Sequence, residues 1–524
     1  MDVLNNTSAA EPGHFQYTIG TLTGRESNNN LVFIVLAFAT LTLGYSLATG
    51  KSKKQRLVPG VPIVGGTDKE SILQSRIRFI HDGKNMLQEG YSQWKNNFFY
   101  IPSVLGERLM IPTKYLEDLK TAPIDKVDFV ATFIEMFEGK YTTMGSRSTL
   151  HPRVVKAQLN QYLPDVMPAV QEEIREAFLE EFPACDDWTE VNVVHDITRI
   201  VARVSSRMFG GTTLSRNREW VTASIDFATD GFIGAQAIKK YPVWMRDVVC
   251  RFIPAIRNIK KHYAQAEKAA IPLLNEREAN GTKELDLLSW MTEQAKGPEE
   301  QDKKFIAGIL LKVSFAAIHT SAAAPSQLIF DLCERPEYFA PLREEMEANL
   351  AEDGSIPKTA FPKLLKLDSI MKESQRFSPL LLITFERVIT EDWKLSDGFV
   401  IPANTTIGVP TQAISMDPEI YEEPEKFDGF RFTKLRENPA IGGKANYASS
   451  NPVSMNFGFG RHACPGRFFA SNEIKAIMVY LLMNYEFKYA EGQKRPESLL
   501  FETQYLPNHE AKVLFRKRKS PLGA

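Results

Sequence analysis

Cysteine is scarce in this sequence, with four residues in a chain of 524. The four are far apart and form no Cys-x-x-Cys pair: Cys185, Cys250, Cys333 and Cys464. So few cysteines exclude the disulfide framework of a small secreted protein. We expect three of them to be small buried apolar side chains, whereas Cys464 stands in a local sequence that needs another explanation.

Net charge is also nearly absent, because 63 lysine and arginine residues face 64 aspartate and glutamate residues. This balance gives no sign of a nucleic-acid partner or of an acidic substrate. The length alone favours two or more domains. However, the sequence after residue 66 has no low-complexity linker and no repeat. We therefore expect one large domain over residues 67–524.

Charged side chains are missing from residues 31–49, LVFIVLAFATLTLGYSLAT. A helix of this length spans roughly 28 Å, close to the hydrocarbon thickness of a bilayer. Four basic residues follow directly: Lys51, Lys53, Lys54 and Arg56. The positive-inside rule then places residues 1–30 in the lumen and the bulk of the chain in the cytoplasm. A buried core helix is the alternative interpretation of this segment.

The sequence thus predicts a lumenal tail at 1–30, a single N-terminal transmembrane helix at 31–49 and a basic, proline-rich hinge at 50–66. Asn5 and Asn6 in the tail match the acceptor pattern for glycosylation. Beyond the hinge helical periodicity dominates, for example at 169–181 and 256–270. Strand-like sequence is concentrated near 380–412, where residues 396–398 give a hairpin signal. The expected fold class is mainly α with a small β-sheet region.

The strongest local pattern is FGFGRHACPG at residues 457–466. Gly458 and Gly460 permit a tight loop that approaches a flat ligand. Pro465 favours the first turn of a helix, so Cys464 lies at a helix N-terminus, where free N–H groups stabilise a thiolate. Such a cysteine can be a nucleophile, a zinc ligand or a haem ligand. No second cysteine or histidine stands at zinc spacing, and a nucleophile needs a histidine base that the sequence alone does not place.

Residues 305–332, FIAGILLKVSFAAIHTSAAAPSQLIFDL, are apolar nearly all round. This is typical of a helix buried in a large core, and small residues such as Ala316 allow a bulky group to pack against it. His319 and Thr320 lie in the middle, and Pro325 is expected to bend the helix. Taken alone, the pattern indicates a core helix with one hydrogen-bonded histidine.

The cysteine loop closely resembles the ligand signature of the cytochrome P-450 superfamily, whose positions are occupied here by Phe457, Gly460, His462, Cys464 and Gly466. The resemblance covers roughly residues 70–520 and implies the cytochrome P-450 fold. It also implies haem b, with its iron bound by the Cys464 thiolate and with Phe457, Gly458 and Gly466 among the cofactor-binding residues.

The resemblance also implies roles for residues upstream of the loop. Glu373 and Arg376 are three residues apart and share a helix face. With Arg431 they are expected to form a buried charged network that holds the cysteine loop.

Two basic residues are expected at the haem propionates, namely Arg387 and His462. The Trp-x-x-x-Arg helix that often holds a propionate in this family is not found. His151 and Arg153 fall in about the same region of the sequence, and His151 is the candidate there.

Thr320 matches the threonine whose hydroxyl manages protons at bound dioxygen in this family. His319 stands before it where the family usually has an acid, and a histidine relays protons near neutral pH. Both are candidate catalytic residues. The resemblance implies oxidation by O2 with NADPH-derived electrons from a separate NADPH–cytochrome P-450 reductase, with cytochrome b5 as a further candidate donor.

Segments 316–320, 367–377 and 463–472 resemble the fungal ent-kaurene oxidase group of secondary metabolism. This implies an endoplasmic reticulum monooxygenase that hydroxylates or multiply oxidises an apolar intermediate, a terpenoid and foremost a diterpenoid. Sesquiterpenoid, meroterpenoid, indole-diterpenoid and polyketide substrates are alternatives, and so is a non-oxygenating isomerase or dehydratase of the same fold. The positions expected at the substrate are Phe129, Phe133, Ala316, Leu382 and Ile383.

Overall fold

The computed structural model describes residues 56–66 and 68–519. The predicted lumenal tail, the transmembrane helix at 31–49, both glycosylation candidates and the first part of the hinge lie outside these residues. Apart from residues 242–245, the described residues form one compact unit. Its architecture is mainly helical with small sheets, as the sequence predicted.

Helices account for most of the described chain, and both periodic segments lie within them. Their bounds are α1 Lys69–Trp94, α2 Leu116–Leu119, α3 Phe129–Met136, α4 Gly139–Thr142, α5 Leu150–Val154, α6 Leu163–Glu181, α7 Val193–Ser215, α8 Arg218–Lys239, α9 Val243–Val249, α10 Pro254–Asn280, α11 Leu287–Gln294, α12 Gly297–Gln301, α13 Lys303–Glu334, α14 Phe339–Glu347, α15 Leu365–Phe377, α16 Thr411–Ser415, α17 Arg431–Arg436 and α18 Arg467–Asn484. A π-helical turn, Val155–Leu159, continues α5.

In the part of the chain that the structure describes, the strands form four small sheets. Their bounds are β1 Phe99–Ser103, β2 Gly106–Met110, β3 Val127–Asp128, β4 Thr189–Asn192, β5 Thr384–Ile389, β6 Trp393–Lys394, β7 Val400–Ile401, β8 Thr405–Val409, β9 Tyr485–Lys488, β10 Leu499–Phe501, β11 Gln504–Leu506 and β12 Lys512–Lys517. The largest sheet has the order β1-β2-β8-β5-β3, with β2 and β8 parallel. Strands β6 and β7 form the hairpin predicted around residues 396–398.

Capping residues fix where several long helices begin. Asp68, Asp128, Asn192, Asn217 and Asp302 each accept a hydrogen bond from a backbone N–H in the first turn of the following helix. Such caps satisfy N–H groups that have no partner inside the helix. Asp302 thereby defines the start of α13.

Helix α13 runs through the centre of the fold and packs against α7, α8, α10, α15 and α18. Among the described residues it is the one helix long and apolar enough to cross a membrane, but 56% of its most apolar window is buried inside the protein. It is the core helix predicted for residues 305–332, and it continues as a helix through Pro325.

The four cysteines are all free, as expected. Cys185 is buried, whereas Cys250 and Cys333 are partly exposed. The expectation of three buried cysteines is therefore right for Cys185 alone. Cys250 begins the short 3-10 turn Cys250–Phe252 and Cys333 lies in the last turn of α13, where part of each side chain stays uncovered.

Gly90 sets how closely α1 approaches β1. A Cβ there would collide with the Phe99 ring and lie 2.8 Å from Val64 Cγ2, and both neighbours are buried. We expect Gly90→Ala to lower the free energy of unfolding by about 1–3 kcal/mol, because an overpacked core must shift. Chemical denaturation measures this. Gln93→Ala, at an exposed position of the same helix, should change it by less than about 0.5 kcal/mol.

Candidate active site

The cysteine loop is a tight turn closed by backbone hydrogen bonds. The Cys464 N–H donates to the Phe457 carbonyl at 2.7 Å. Gly458 and Gly460 have φ values of 72° and 73°, in the left-handed region that glycine adopts without strain. A Cβ on Gly460 would lie 2.6 Å from Lys120 Cβ. Both glycines are therefore favoured by the backbone conformation, and Gly460 is also required by close packing.

Cys464 is partly buried next to the start of α18. Burial raises its pKa, while the N–H groups of Gly466 and Arg467 and the Arg467 guanidinium act in the opposite direction. The sequence predicted thiolate stabilisation by the helix N-terminus. Those N–H groups do lower the pKa of the thiol, but the cost of desolvation raises it by more. A bound cation at the sulfur would reverse this balance.

Arg387, which is buried, and His462, which is partly exposed, both pack against the ring of Phe129. The Arg387 guanidinium lies 4.9 Å from the Phe129 ring centre, and the His462 ring stacks on the same ring at 5.5 Å. Burial lowers the pKa of Arg387 to about 10. Burial and then the Arg387 charge lower the pKa of His462, whose Nε2 is buried without a partner. Among the described residues neither side chain forms an ion pair, although the charges of Glu386 and Asp128 act on Arg387 and His462 from a greater distance. The pair is therefore a candidate anion site.

His151 lies in α5, which continues into the π-helical turn. Its Nδ1 is buried without a hydrogen-bond partner, and burial lowers its pKa to about 4. Arg153, considered with it from the sequence, is turned elsewhere: its guanidinium donates to Glu300 at 2.9 Å and to the Gln294 carbonyl at 2.8 Å. The structure therefore separates these two residues, because an acidic partner holds Arg153.

Ala316 and Thr320 are exposed on one face of α13, although Ile318 and Ser321 between and beside them are buried. They therefore border an open space inside the helical layers. The Thr320 hydroxyl donates to the Ala316 carbonyl at 2.7 Å. His319 points elsewhere, since its Nε2 lies 3.1 Å from the Ile225 carbonyl in α8.

Glu373, Arg376 and Arg431 meet in the interior. The Arg376 guanidinium donates hydrogen bonds of 2.9 and 2.7 Å to the two oxygens of the Glu373 carboxylate. Arg431 Nε lies 3.2 Å from both of these oxygens. Arg376 also donates to the carbonyls of Ser415 and Pro424. One carboxylate thus joins α15 to the start of α17.

The remaining positions expected at the substrate differ in their surroundings. Phe133 is partly exposed and packs against Phe315 with ring centres 5.9 Å apart. Leu382 and Ile383 have no exposed surface and belong to the core cluster that also contains Phe79. Both pack in this core directly before β5 begins, so neither borders the open space.

The sequence did not single out Glu473, a fully buried carboxyl group in α18. One of its oxygens accepts from the Ser205 hydroxyl at 2.8 Å, and the other has no partner within normal hydrogen-bond geometry. Burial raises its pKa to about 7, while the hydroxyls of Ser205 and Ser321 oppose the rise. Ser321 directly follows Thr320. The one sequence signal was an acid at position nine after Cys464, within a helix otherwise rich in apolar residues.

This combination of a helical core and a glycine-bordered cysteine loop matches the cytochrome P-450 family, whose sequence model covers residues 146–515. A cytochrome P-450 monooxygenase of Emericella nidulans is 38% identical over 84% of each chain. An ent-kaurene oxidase of Gibberella intermedia is 32% identical over 98% of each chain. A cytochrome P-450 monooxygenase of Botryotinia fuckeliana is 34% identical over 83% of this chain and 90% of its own.

The chain belongs to the cytochrome P-450 family. It is a haem-thiolate monooxygenase of the fungal secondary-metabolism group, which uses O2 and electrons derived from NADPH through a reductase. The residues present fit the haem. Two buried imidazole nitrogens, His462 Nε2 and His151 Nδ1, lack hydrogen-bond partners, and the Arg387 guanidinium forms no ion pair among the described residues, since the neighbouring Glu386 pairs with Arg108. Propionate carboxylates supply what such groups lack.

Removal of the Glu373 carboxylate should destabilise the protein strongly. We expect Glu373→Ala to lower the free energy of unfolding by about 3–5 kcal/mol, because two buried guanidiniums lose their counter-charge. Glu219→Ala is the matched control, since its ion pair with Lys268 is exposed on both sides, and should cost about 1 kcal/mol or less. Equal effects in denaturant titrations would contradict this view of the network.

Glu473 should make stability depend on pH. Its folded-state pKa is raised from 4.5 to about 7, so its contribution is complete below pH 4.5 and is lost as the pH rises through about 7. The wild-type free energy of unfolding should fall relative to that of Glu473→Gln by about 3 kcal/mol over this range. Denaturant titrations at several pH values measure the difference. Parallel curves would show that the carboxyl group is not buried as described.

Proposed function

We propose that Cys464 supplies the thiolate that binds the haem iron. The observation that carries the proposal is the basic pair of Arg387 and His462 at the cysteine loop, which forms no ion pair with an acidic side chain among the described residues. Arg387 and His462 hold the haem propionates, and His151 approaches from α5. Phe457, Gly458 and Gly466 shape the loop around the cofactor.

The network of Glu373, Arg376 and Arg431 is proposed to keep this loop rigid. Its support is geometric: each guanidinium also donates to backbone carbonyls, those of Ser415 and Lys426 among them. Charged hydrogen bonds of this kind are directional and resist displacement in a dry interior.

Thr320 is proposed to hold a proton on the oxygen side. When bound, haem supplies the activation of dioxygen and the oxidation of an unactivated carbon. Thr320 keeps its hydroxyl proton directed to the Ala316 carbonyl at 2.7 Å. That position on the exposed face of α13 lets the hydroxyl turn and donate to a ligand in the open space, while the apolar residues around it exclude water.

The position of His319 favours a second candidate, a non-oxygenating isomerase or dehydratase of the same fold. Its Nε2 hydrogen is engaged with the Ile225 carbonyl, and burial lowers its pKa. A neutral imidazole bound in this way does not take over the acid's role beside Thr320. Proton delivery for oxygen activation then depends on other groups, Thr320 first.

The proposed substrate is an apolar natural-product intermediate, a terpenoid and foremost a diterpenoid. Support comes from the ent-kaurene oxidases among the relatives and from the apolar surroundings of the open space, including Ala316, Phe133 and Phe315. Meroterpenoid, indole-diterpenoid and polyketide scaffolds are the alternatives to test.

We further propose that residues 31–49 anchor the enzyme in the endoplasmic reticulum membrane by a single span. The basic residues after this segment keep the catalytic domain in the cytoplasm. An NADPH–cytochrome P-450 reductase in the same membrane supplies electrons, and cytochrome b5 is the second candidate donor. An anchor in the bilayer also suits a substrate that partitions into lipid.

Microsomes that contain the full chain and a fungal reductase test the reaction. With NADPH and isotopically labelled dioxygen, a terpenoid panel should include ent-kaurene, and one labelled oxygen should enter the product in each round. Cys464→Ser should abolish both the product and the thiolate form of the reduced carbon monoxide spectrum, since a hydroxyl is a poor replacement for a thiolate ligand. Cys250→Ser is the control and should retain both.

Product that forms without label and without NADPH would establish the isomerase or dehydratase instead. A reduced carbon monoxide spectrum unchanged in Cys464→Ser would refute the assignment of the iron ligand.

A further inference from the structure

Asp226 lies in α8 beside the hydrogen bond that joins this helix to α13. His319 Nε2 lies 3.1 Å from the Ile225 carbonyl oxygen, and the carbon of that carbonyl is bonded directly to the Asp226 nitrogen. The imidazole therefore reaches the peptide group from which Asp226 extends. Since Thr320 directly follows His319, this contact brings an acid of α8 close to the part of α13 that carries the threonine.

A second histidine fixes the same part of α8. His262 in α10 is buried, and its Nε2 lies 2.8 Å from an Asp230 carboxylate oxygen. Asp226 and Asp230 are four residues apart, so they share one face of the helix. Helix α8 packs against both α10 and α13. The contacts of the two histidines therefore hold the Asp226 segment against both of these helices.

The carboxyl group of Asp226 is not engaged by a neighbour. Among the residues that the structure describes, it forms no ion pair and no hydrogen bond, whereas Asp230 is held by His262. Asp226 is also exposed, in contrast to the fully buried Glu473. A carboxyl group that has no partner and that water reaches can exchange protons with the solvent.

The surroundings of Asp226 favour its protonated form. Burial of part of the side chain raises the pKa of Asp226. Positive charge on His262 or on His319 opposes this rise, and the Asp230 carboxylate adds to it. A general acid is most effective when its pKa is close to the working pH, and the shift is in that direction.

We propose that Asp226 supplies protons to Thr320 in place of the acid that the family usually carries before this threonine, and that His319 is the residue that positions it. The proposal rests on the function proposed above, because oxygen activation consumes protons. A proton passes from the Asp226 carboxyl group through bridging water to the Thr320 hydroxyl, which passes its own proton on. The carboxylate is then protonated again from the solvent.

Microsomes that contain the full-length holoenzyme and a fungal reductase test the proposal, with ent-kaurene as the probe. Asp226→Asn removes the acidic proton at nearly constant size and should slow NADPH oxidation by about a hundredfold, the lower end of what a positioned acid contributes. Asp226→Glu restores a carboxyl group and should recover most of the rate. Glu219→Gln makes the same change from carboxyl to amide at an exposed position of α8 and should match wild type.

Two further measurements separate proton supply from a change of shape. The reduced carbon monoxide spectrum of Asp226→Asn should equal that of wild type, because the cysteine loop is untouched. The solvent isotope effect on NADPH oxidation should increase in Asp226→Asn, because proton transfer becomes the slowest step.

His319→Leu removes the N–H that reaches the Ile225 carbonyl and tests the positioning role. It should slow NADPH oxidation, whereas His319→Gln keeps an N–H donor and should slow it less. In the double variant Asp226→Asn/His319→Leu the rate should fall no further than in Asp226→Asn alone, because both changes remove the same proton supply.

Two results would overturn the proposal. One is NADPH oxidation at the wild-type rate in Asp226→Asn. The other is a loss of rate that Asp226→Glu does not recover and that leaves the solvent isotope effect unchanged, since this indicates a structural role. The proposed function is checked in wild type alone: product without labelled oxygen, or no thiolate form of the carbon monoxide spectrum, would refute that function and not merely the role of Asp226.

Discussion

A single buried carboxylate, Glu373 between the guanidiniums of Arg376 and Arg431, is the interaction on which the geometry of the site depends. It has no exposed surface, so its charge must be matched inside the protein. Each guanidinium also binds carbonyls of the segment between α16 and α17. An irregular stretch of chain without regular backbone pairing is thereby held at fixed distances from α15.

The same helix reaches the cysteine loop through one further segment, residues 446–450. Lys372 donates to two carbonyls of that segment, and the Asp368 carboxylate accepts from the Tyr447 N–H at 2.8 Å. The hydroxyl of Ser450 then bonds to the carbonyl of Gly458 in the loop. Burial lowers the pKa of Lys372 to about 8. The link between α15 and the cysteine loop therefore includes a charged group that is removed from water.

The sequence predicted what depends on neighbours along the chain: the cysteine loop, the Glu373–Arg376 spacing and the core helix. It did not predict Glu473, and it placed Leu382, which has no exposed surface, among the positions expected at the substrate. Helix α13 is apolar nearly all round, so its periodicity marks no face as special. Its polar residues face the open space, another helix or a buried acid. Partners that are distant in sequence decide which residue faces which.

Three consecutive residues of α13 illustrate this, because each turns about 100° from the last. Thr320 faces the open space, Ser321 lies near Glu473, and His319 meets the Ile225 carbonyl of α8. A carbonyl oxygen only accepts hydrogen bonds. An ionised acid at position 319 would therefore repel it, and burial would make that repulsion costly. A neutral imidazole donates its one N–H there, which gives a physical reason for histidine where the family usually has an acid.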